Sequence, residues 1–241
     1  MDEIIRVENL SGGYPHAPVF EGLSLSFHGP GLCTVIGPNG SGKSTLLKFL
    51  YRELAPQSGQ VLLEGKDIAS YSRRAIAKRI ALVPQWGRIE EDFTVRDAVA
   101  MAGSLHVEES LDTCDLSDKA DASVLSLSGG EFQRTLIARA LAQDTPVLLL
   151  DEPVNNLDIS YQVSTLRLVK DLAHHGGKLV ILVLHDLTMA QVYSDDVVLL
   201  NHGKLVAQGA PQEVITKERI ESVYGTPMQW DETNHLLVPV W

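Results

Sequence analysis

The sequence predicts an α/β fold built on a mostly parallel sheet, with an antiparallel β subdomain and a small helical insert. Three continuous apolar segments, at residues 32–36, 147–150 and 179–184, have the pattern of strands buried on both faces of a sheet. Stretches with helical periodicity lie between them, as expected of a layered α/β protein. A glycine-rich segment directly after the first apolar run joins a strand to a helix.

Helical periodicity fills the intervals between the apolar segments. It begins after Gly42, where residues 45–53 have a helical pattern. It begins again after Gly129, and once more over residues 159–173. Residues 3–28 instead alternate in part between apolar and polar side chains, which favours antiparallel strands packed on one face.

One segment, residues 86–126, has no strong strand pattern and contains helix-like stretches such as residues 95–105. It is the predicted helical insert. Neither an internal repeat nor a linker-like composition divides the chain. We therefore expect one domain over residues 1–241, in which residues 1–85 and 127–241 form the core around the insert.

Composition and charge exclude some classes of function. The chain has 241 residues, 44% of them hydrophobic and 21% charged, a balance that is typical of a globular protein with a full core. The formal net charge of -11 argues against nucleic acid as a partner, because a phosphate backbone requires a positive surface. The net charge does not exclude a local basic patch on the surface.

Targeting signals and cysteine usage indicate a cytosolic protein. The longest apolar run, residues 179–184, is far shorter than the roughly 20 residues of a membrane helix. The sequence begins Met-Asp-Glu and has no pattern of a signal peptide. Cys33 and Cys114 are the only cysteines, so we expect neither structural disulfides nor a thiolate metal site. Any membrane association is expected to come through a partner.

Residues 37–45, GPNGSGKST, fit the phosphate-loop pattern GxxxxGK[ST] between a predicted strand and a predicted helix. Glycines let such a loop curl so that backbone N–H groups point at phosphate oxygens, and the helix N-terminus adds partial positive charge. Lys43 is expected to bridge the β- and γ-phosphates of a nucleotide, and Ser44 to bind Mg²⁺. The alternative is a glycine-rich turn that matches by chance, which this context disfavours.

A carboxylate pair follows the apolar segment at residues 147–150. Strands of such sheets present ligand-binding groups at their C-terminal ends. Asp151 is therefore expected to hold Mg²⁺ through water, and Glu152 to polarise the attacking water. The alternative role is a capping pair before the next helix, which is the weaker explanation beside a phosphate loop.

Residues 127–134, LSGGEFQR, resemble the signature motif of the ABC transporter family, LSGGQ in its usual form, with Glu131 in place of Gln. The residues have a physical interpretation of their own. Ser128 is a good N-cap, and Gly129 and Gly130 expose backbone N–H groups at a helix start, which makes a second anion site. An ordinary capped helix does not require two glycines, because glycine weakens a first turn.

The resemblance continues along nearly the whole chain in the family's order. Tyr14 stands where the family places an aromatic ring that stacks on adenine. Gln85 matches the Q-loop, which contacts Mg²⁺ and the membrane partner. Residues 155–158, NNLD, match the D-loop, with Asn155 where the family often has Ser. His185 matches the switch histidine, which hydrogen-bonds the γ-phosphate.

The resemblance implies a P-loop NTPase with a RecA-like, mostly parallel sheet, in which two copies pack head to tail around ATP and Mg²⁺. The signature segment of one subunit then grips the γ-phosphate held by Lys43 of the other. The implied catalytic residues are Lys43, Gln85, Glu152 and His185. The residues implied to bind the nucleotide are Tyr14, Gly37, Pro38, Asn39, Gly40, Ser41, Gly42, Lys43, Ser44, Thr45, Gln85, Ser128, Gly129, Gly130, Glu131, Asp151 and Asp158. The implied metal ligands are Ser44, Gln85 and Asp151.

Weaker similarities, at residues 93–99, 196–209 and 223–240, resemble the group of importers for iron-siderophores, haem and cobalamin. This resemblance implies integral membrane permease subunits as partners, a substrate-binding protein as an indirect partner, and a location at the cytoplasmic face of the cell membrane. In one respect the chain departs from the group: the stretch from Gln85 to Ser128 is shorter than in typical members.

Other functions stay open on the sequence alone. A soluble ABC ATPase of iron-sulfur cofactor assembly has a similar length, and an importer for a metal oxyanion such as molybdate has the same motifs. ABC proteins of DNA repair carry long coiled coils, but the chain has no sustained heptads. A kinase with a phosphate loop would explain neither the signature segment nor His185.

Overall fold

The computed structural model of the chain describes residues 2–85, 87, 89 and 91–240. The two ends of the predicted domain, Met1 and Trp241, lie outside the described residues. So do three positions at the start of the predicted insert, Trp86, Arg88 and Glu90.

The described residues form strands and helices that alternate through most of the chain. The strands are β1 (Asp2–Tyr14), β2 (Ala17–Gly29), β3 (Gly31–Ile36), β4 (Ser58–Leu63), β5 (Lys66–Asp67), β6 (Ile80–Val83), β7 (Val147–Leu150), β8 (Leu179–Val183), β9 (Asp196–Asn201), β10 (Lys204–Gly209), β11 (Met228–Asp231) and β12 (Leu236–Pro239). The α-helices are α1 (Lys43–Leu50), α2 (Arg73–Ala77), α3 (Val95–Ala100), α4 (Val107–Thr113), α5 (Gly129–Leu141), α6 (Ile159–His174), α7 (Leu187–Tyr193), α8 (Pro211–Val214) and α9 (Lys217–Tyr224).

The central sheet has the strand order β10-β9-β3-β8-β7-β6. Its neighbouring strands are parallel except for β10, which is antiparallel to β9. Strands β3, β7 and β8 are buried along their full length, because side chains of other elements cover both faces of the sheet. The mostly parallel sheet that the three apolar runs predict is confirmed.

The second sheet, with the order β2-β1-β4-β5, is antiparallel. On β1, the side chains of Ile5, Val7 and Leu10 enter a core shared with α1 and the central sheet, whereas Arg6 is exposed. This one-sided burial explains the partial alternation in the sequence. The predicted antiparallel subdomain is confirmed.

Helices α3 and α4 and two 3₁₀ turns, Ser117–Lys119 and Val124–Ser126, lie between β6 and α5. Helix α3 buries Val95, Ala98 and Val99 against α5. The prediction of helix over residues 95–105 is too long, since α3 ends at Ala100. The backbone of Gly103 approaches Ala142 so closely that an added Cβ would lie 2.1 Å from its carbonyl oxygen, and Gly103 itself lies outside any helix.

Helix α1 is displaced from its predicted bounds, residues 45–53. It begins at Lys43 and ends at Leu50. Arg52 adopts a φ of 58°, a left-handed conformation that a right-handed helix cannot continue through. The helical pattern of the sequence therefore extends past the last helical residue.

The last elements of the chain, from α8 to β12, form a separate small core on the end of the central sheet. Val214, Ile220 and Leu237 from these elements are buried together with Ile36 of β3 and Leu199 of β9. The C-terminal part of the chain thus packs beside the residue that precedes the phosphate loop. In the part of the chain that the structure describes, no helix is long and apolar enough to cross a membrane.

Candidate functional site

Four neighbouring strands of the central sheet end at the same edge, and a residue with functional chemistry follows each of them. Strand β3 leads into residues 37–45, and Gln85, Asp151 and His185 come after β6, β7 and β8. Because parallel strands place their carboxyl ends together, residues that are far apart in sequence meet at this edge.

The Lys43 ammonium group is buried within the phosphate loop. Its Nζ donates hydrogen bonds to the carbonyl oxygens of Gly37, at 2.8 Å, and Pro38, at 3.1 Å, and the residue is only 5% exposed. Burial lowers the pKa of Lys43, and the nearby carboxylates of Glu152 and Asp151 oppose this shift. Within the described residues no carboxylate lies at salt-bridge distance from the ammonium group, so an anion is the ligand that would best compensate its desolvation.

Ser44 and Asp151 bring two oxygen ligands together beside Lys43. The Ser44 hydroxyl donates a hydrogen bond of 2.8 Å to Asp151 Oδ1. Burial raises the pKa of Asp151, and this hydrogen bond offsets part of the increase. A hydroxyl and one carboxylate, completed by substrate phosphates and water, are the ligands that Mg²⁺ prefers. The residues therefore fit a magnesium ion bound with a nucleotide, and the described residues contain no all-protein metal cluster.

The Glu152 carboxylate is held on both of its oxygens. Oε1 lies 2.6 Å from His185 Nε2, and Oε2 accepts a hydrogen bond of 2.6 Å from Gln85 Nε2. The Glu152 side chain is 9% exposed. Its backbone φ of 53° lies in the left-handed region that non-glycine residues seldom occupy. Such local strain is concentrated at functional sites.

The structure excludes the alternative role of Asp151 and Glu152 as a capping pair. Helix α6 begins only at Ile159, and Asp158 occupies its N-cap position. The carboxylates of Asp151 and Glu152 instead bind side chains from α1 and from the ends of β6 and β8. Asp158 itself is exposed, and its side chain makes no capping hydrogen bond.

The Gln85 side chain contacts Glu152, and its described hydrogen bond does not reach the pair formed by Ser44 and Asp151. Its described side-chain hydrogen bond goes to Glu152 Oε2. The role of Gln85 as a Mg²⁺ ligand therefore stays a prediction. Among the remaining loop residues, Asn39 and Gly40 are exposed at the loop tip, whereas Ser41 and Thr45 are buried.

Tyr14 lies against the helix that follows the phosphate loop. The ring is 38% exposed, and Lys48 Nζ of α1 lies 5.4 Å from its centroid. The end of β1 thus brings an exposed aromatic face to the helix that carries Lys43 and Ser44. A planar base could stack on this face.

The signature segment forms the start of helix α5. Ser128 and Glu131 form a capping box at the start of α5: Glu131 N donates to Ser128 Oγ at 3.3 Å, and Ser128 N donates to Glu131 Oε2 at 2.9 Å. The backbone amide of Ser128 lowers the pKa of Glu131. Glu131, which stands where the signature motif usually has Gln, thus accepts the second hydrogen bond of the capping box. Among the described residues, none of the hydrogen bonds of residues 128–131 reaches the phosphate loop.

Gly130 is required by a close contact with α6. A Cβ on Gly130 would lie 2.2 Å from the ring of Tyr161, whereas Ser128 and Gly129 stay exposed. The Arg134 guanidinium lies 6.0 Å from the same ring. The start of α5 therefore exposes the backbone of Ser128 and Gly129, while Gly130 packs against the Tyr161 ring.

Asn155 is a site residue whose contact the sequence did not reveal. The sequence identifies it only as a D-loop position, but in the structure its Nδ2 donates to Glu152 Oε2, the atom that also accepts from Gln85. The only signal in the sequence was that Asn155 has an amide side chain where the ABC transporter family often has the hydroxyl group of Ser. Hydrogen bonds to a carboxylate fix its orientation.

We expect Asn155→Asp to lower by roughly tenfold the kcat for hydrolysis of the nucleotide that residues 37–45 are predicted to bind, with little change in KM. The substitution keeps the shape of the side chain but places a second negative charge against Glu152 Oε2 in place of a donor, and like charges in contact are destabilising. Steady-state kinetics would measure this. The matched control is Asn156→Asp, the same substitution at the neighbouring position, which is exposed. Equal effects of the two variants would contradict a specific role for Asn155.

The chain has clear relatives. A family model described as "ABC transporter" matches residues 20–155. The ferric enterobactin transport ATP-binding protein of Escherichia coli strain K12 is 40% identical in an alignment that covers 92% of this chain and 87% of that protein. The hemin import ATP-binding protein of Shewanella denitrificans is 37% identical in an alignment that covers 98% of this chain and 99% of that protein.

A solved structure has the same architecture over the full length of the chain. It is described as a metal-chelate type ABC transporter in an inward-facing conformation, and it superposes with a TM-score of 0.84 at 27% identity. The superposition covers 100% of this chain and 98% of the other.

Proposed function

The chain belongs to the ABC transporter family, and from this membership we propose that it is the ATP-hydrolysing subunit of an importer. The observation that carries the proposal is the group of contacts around Glu152, next to the phosphate loop. Gln85 and His185 orient the carboxylate, and Ser44 and Asp151 supply oxygen ligands beside Lys43. This arrangement suits hydrolysis of the phosphoanhydride bond between the β- and γ-phosphates of a nucleotide.

Residues 37–45 bind the phosphates of ATP in this proposal. The Lys43 ammonium group exchanges its two carbonyl partners for phosphate oxygens, and Tyr14 provides the surface for adenine. Mg²⁺ bound by Ser44 and Asp151 would neutralise charge on the phosphates. The support is the burial of Lys43 without a carboxylate partner and the convergence of the two oxygen ligands.

Glu152 is the proposed general base, which takes a proton from the attacking water. Its Oε1 is bonded to a single described partner, His185, so that oxygen retains a lone pair for a water molecule. Gln85 and Asn155 fix the other oxygen. His185, which is close to Glu152, is proposed to position the γ-phosphate.

The proposed active unit is a head-to-tail dimer. Ser128 and Gly129 are exposed, and none of the described hydrogen bonds of residues 128–131 reaches the phosphate loop of the same chain. A second copy is therefore the proposed source of the γ-phosphate that they bind. Closure of the dimer would then depend on ATP, and hydrolysis would loosen it.

The proposed partners are integral membrane permease subunits and, indirectly, a substrate-binding protein. The contact with the permease is assigned to residues 86–126, which follow Gln85 directly in the sequence and end at the signature segment. Among the described residues of this segment, Met101 and Leu105 are 49% and 90% exposed. A membrane partner would place the chain at the cytoplasmic face of the membrane.

The proposed cargo is an iron-siderophore, haem or cobalamin-type compound. Two relatives support this: one is named for ferric enterobactin transport and one for hemin import. An importer for a metal oxyanion and a soluble ATPase of iron-sulfur assembly are the alternatives.

Uptake in the native host tests this function. A strain that lacks the chain is complemented with the wild type or with the Glu152→Gln variant. We expect uptake of at least one of three labelled probes, a ferric siderophore, haem and cobalamin, to return only with the wild type. Loss of iron-sulfur enzyme activity with normal uptake of all three would favour the soluble ATPase. Loss of molybdate uptake alone would favour the oxyanion importer.

A further inference from the structure

Helix α9 ends with a tyrosine whose hydroxyl group is buried next to the phosphate loop. Tyr224 packs on the small core that contains Ile36 and Ile220, and α9 stops at Gly225 in a left-handed conformation. The phenol oxygen is inaccessible to solvent and has no hydrogen-bond partner of good geometry among the described residues. The proposed function assigns no role to this residue.

A buried hydroxyl without a partner is destabilising. Leaving such a group unsatisfied costs the free energy of removing the hydroxyl group from water, and a phenylalanine would fill the same space without that cost. Buried polar groups in folded proteins are nearly always paired, so each exception requires an explanation. Tyr224 therefore carries a group that the packing of this core does not need.

The packing of Tyr224 points to an explanation in the phosphate loop. Tyr224 packs on the same small core as Ile36, the residue directly before Gly37, and no hydrogen bond of good geometry from the described residues reaches its hydroxyl group. Burial raises the pKa of Tyr224 to about 12, and the backbone N–H of Gly37 opposes this increase. A rotation of the peptide group that carries this N–H would give the hydroxyl group a partner.

Gly37 is the first residue of the phosphate loop and is tightly enclosed. Its φ is 152°, and a Cβ would lie 2.2 Å from the carbonyl oxygen of Leu200 and 2.6 Å from Ser41 Oγ. Its own carbonyl oxygen accepts the 2.8 Å hydrogen bond from Lys43 Nζ. The same residue therefore faces Tyr224 with its amide and Lys43 with its carbonyl group.

We propose that Tyr224 is a positioning residue of the phosphate loop, whose phenol oxygen accepts a hydrogen bond from the Gly37 amide when nucleotide is bound. Binding of phosphate draws Lys43 Nζ away from the Gly37 carbonyl oxygen, so that the Gly37 peptide group can rotate while the enclosed Cα stays in place. The new bond to Tyr224 then holds the loop in its loaded position. The inference rests on the proposed binding of ATP by residues 37–45, and it links the C-terminal elements to the nucleotide.

The test compares Tyr224→Phe with the wild type in two measurements, the Tm without nucleotide and the Kd for ATP by calorimetry. We expect an unchanged or higher Tm, because the unpaired hydroxyl is removed. We expect the Kd for ATP to rise about five- to tenfold, the effect of losing one hydrogen bond. The same factor is expected for GTP, since the contact is on the phosphate side. Tyr193→Phe, at the end of α7, is the control and should change neither quantity.

A weaker affinity for ATP without a lower Tm is the signature of this role in Tyr224→Phe. Loss of a merely structural hydroxyl group would not produce that combination. A lower Tm for Tyr224→Phe would show a structural hydrogen bond and overturn the inference. So would an unchanged Kd. If the wild type itself failed to bind ATP, the proposed function would fall and this inference with it. Normal binding by the wild type with equal binding by Tyr224→Phe would overturn the inference alone.

Discussion

Glu152→Gln is expected to bind ATP with nearly the affinity of the wild type and to hydrolyse it at least 100 times more slowly. General base catalysis by a positioned side chain contributes roughly 10²–10⁴-fold to a rate, and an amide cannot accept the proton of the attacking water. Because ATP then persists, the variant should accumulate as an ATP-bound dimer. Phosphate release and size-exclusion chromatography with Mg-ATP measure the two effects.

The surroundings of Glu152 explain why this substitution should leave the fold intact. Gln85 and Asn155 both donate to Oε2, so the carbonyl oxygen of a glutamine can take that position. Its amide group then faces His185 Nε2, which lies 2.6 Å from the present Oε1 and can accept a hydrogen bond in its neutral form. Every described contact of the carboxylate thus has an equivalent in the variant.

Glu218→Gln provides the matched control, since Glu218 is exposed in the first turn of α9. It removes the same charge from the protein without touching the site, and turnover should stay within about twofold of the wild type. Full turnover by Glu152→Gln would contradict its role as the base. A slow variant that stays monomeric with ATP would contradict the proposed dimer instead.

The features of the fold and of the site that the sequence predicts well are those that depend on short-range patterns. The phosphate loop is contiguous, and its glycines and its position after a buried strand are visible in residues 32–45. The parallel sheet follows from continuous apolar runs, because burial on both faces leaves no alternation. The N-cap at Ser128 is likewise a local feature, and the structure confirms it together with a capping box to Glu131.

What the sequence does not predict depends on contacts between distant segments. Gly130 fits only because the Tyr161 ring occupies the space of a Cβ, and no spacing rule connects these two residues. The packing of Tyr224 on the core that contains Ile36 likewise joins segments that are far apart in the sequence. The left-handed backbone of Glu152 is a further case, since non-glycine residues give no local signal for it. The end of one helix was missed for a related reason: α3 ends at Ala100, and Gly103 beyond it packs against the backbone of Ala142.

Lys43→Ala is expected to weaken ATP binding about 100-fold, the loss of one or two charge-assisted hydrogen bonds of roughly 1.5–3 kcal/mol each. In the structure the ammonium group is buried and its pKa is lowered by that burial. Phosphate would restore the stabilisation that burial removes, so the lysine should interact with ATP more strongly than an exposed lysine would. Titration calorimetry with ATP measures the loss.

Two further variants separate the charge of Lys43 from its packing. Lys43→Met keeps most of the side-chain volume and removes only the ammonium group, so it should lose the same affinity as Lys43→Ala. Lys78→Ala removes an exposed lysine at the end of α2 and should bind ATP normally. If Lys43→Met bound ATP as the wild type does while Lys43→Ala did not, the lysine would act by filling space between Gly37 and Pro38. The affinity of the site would then have to come from the backbone amides of residues 37–45 and the start of α1, which alone can hold phosphate but more weakly.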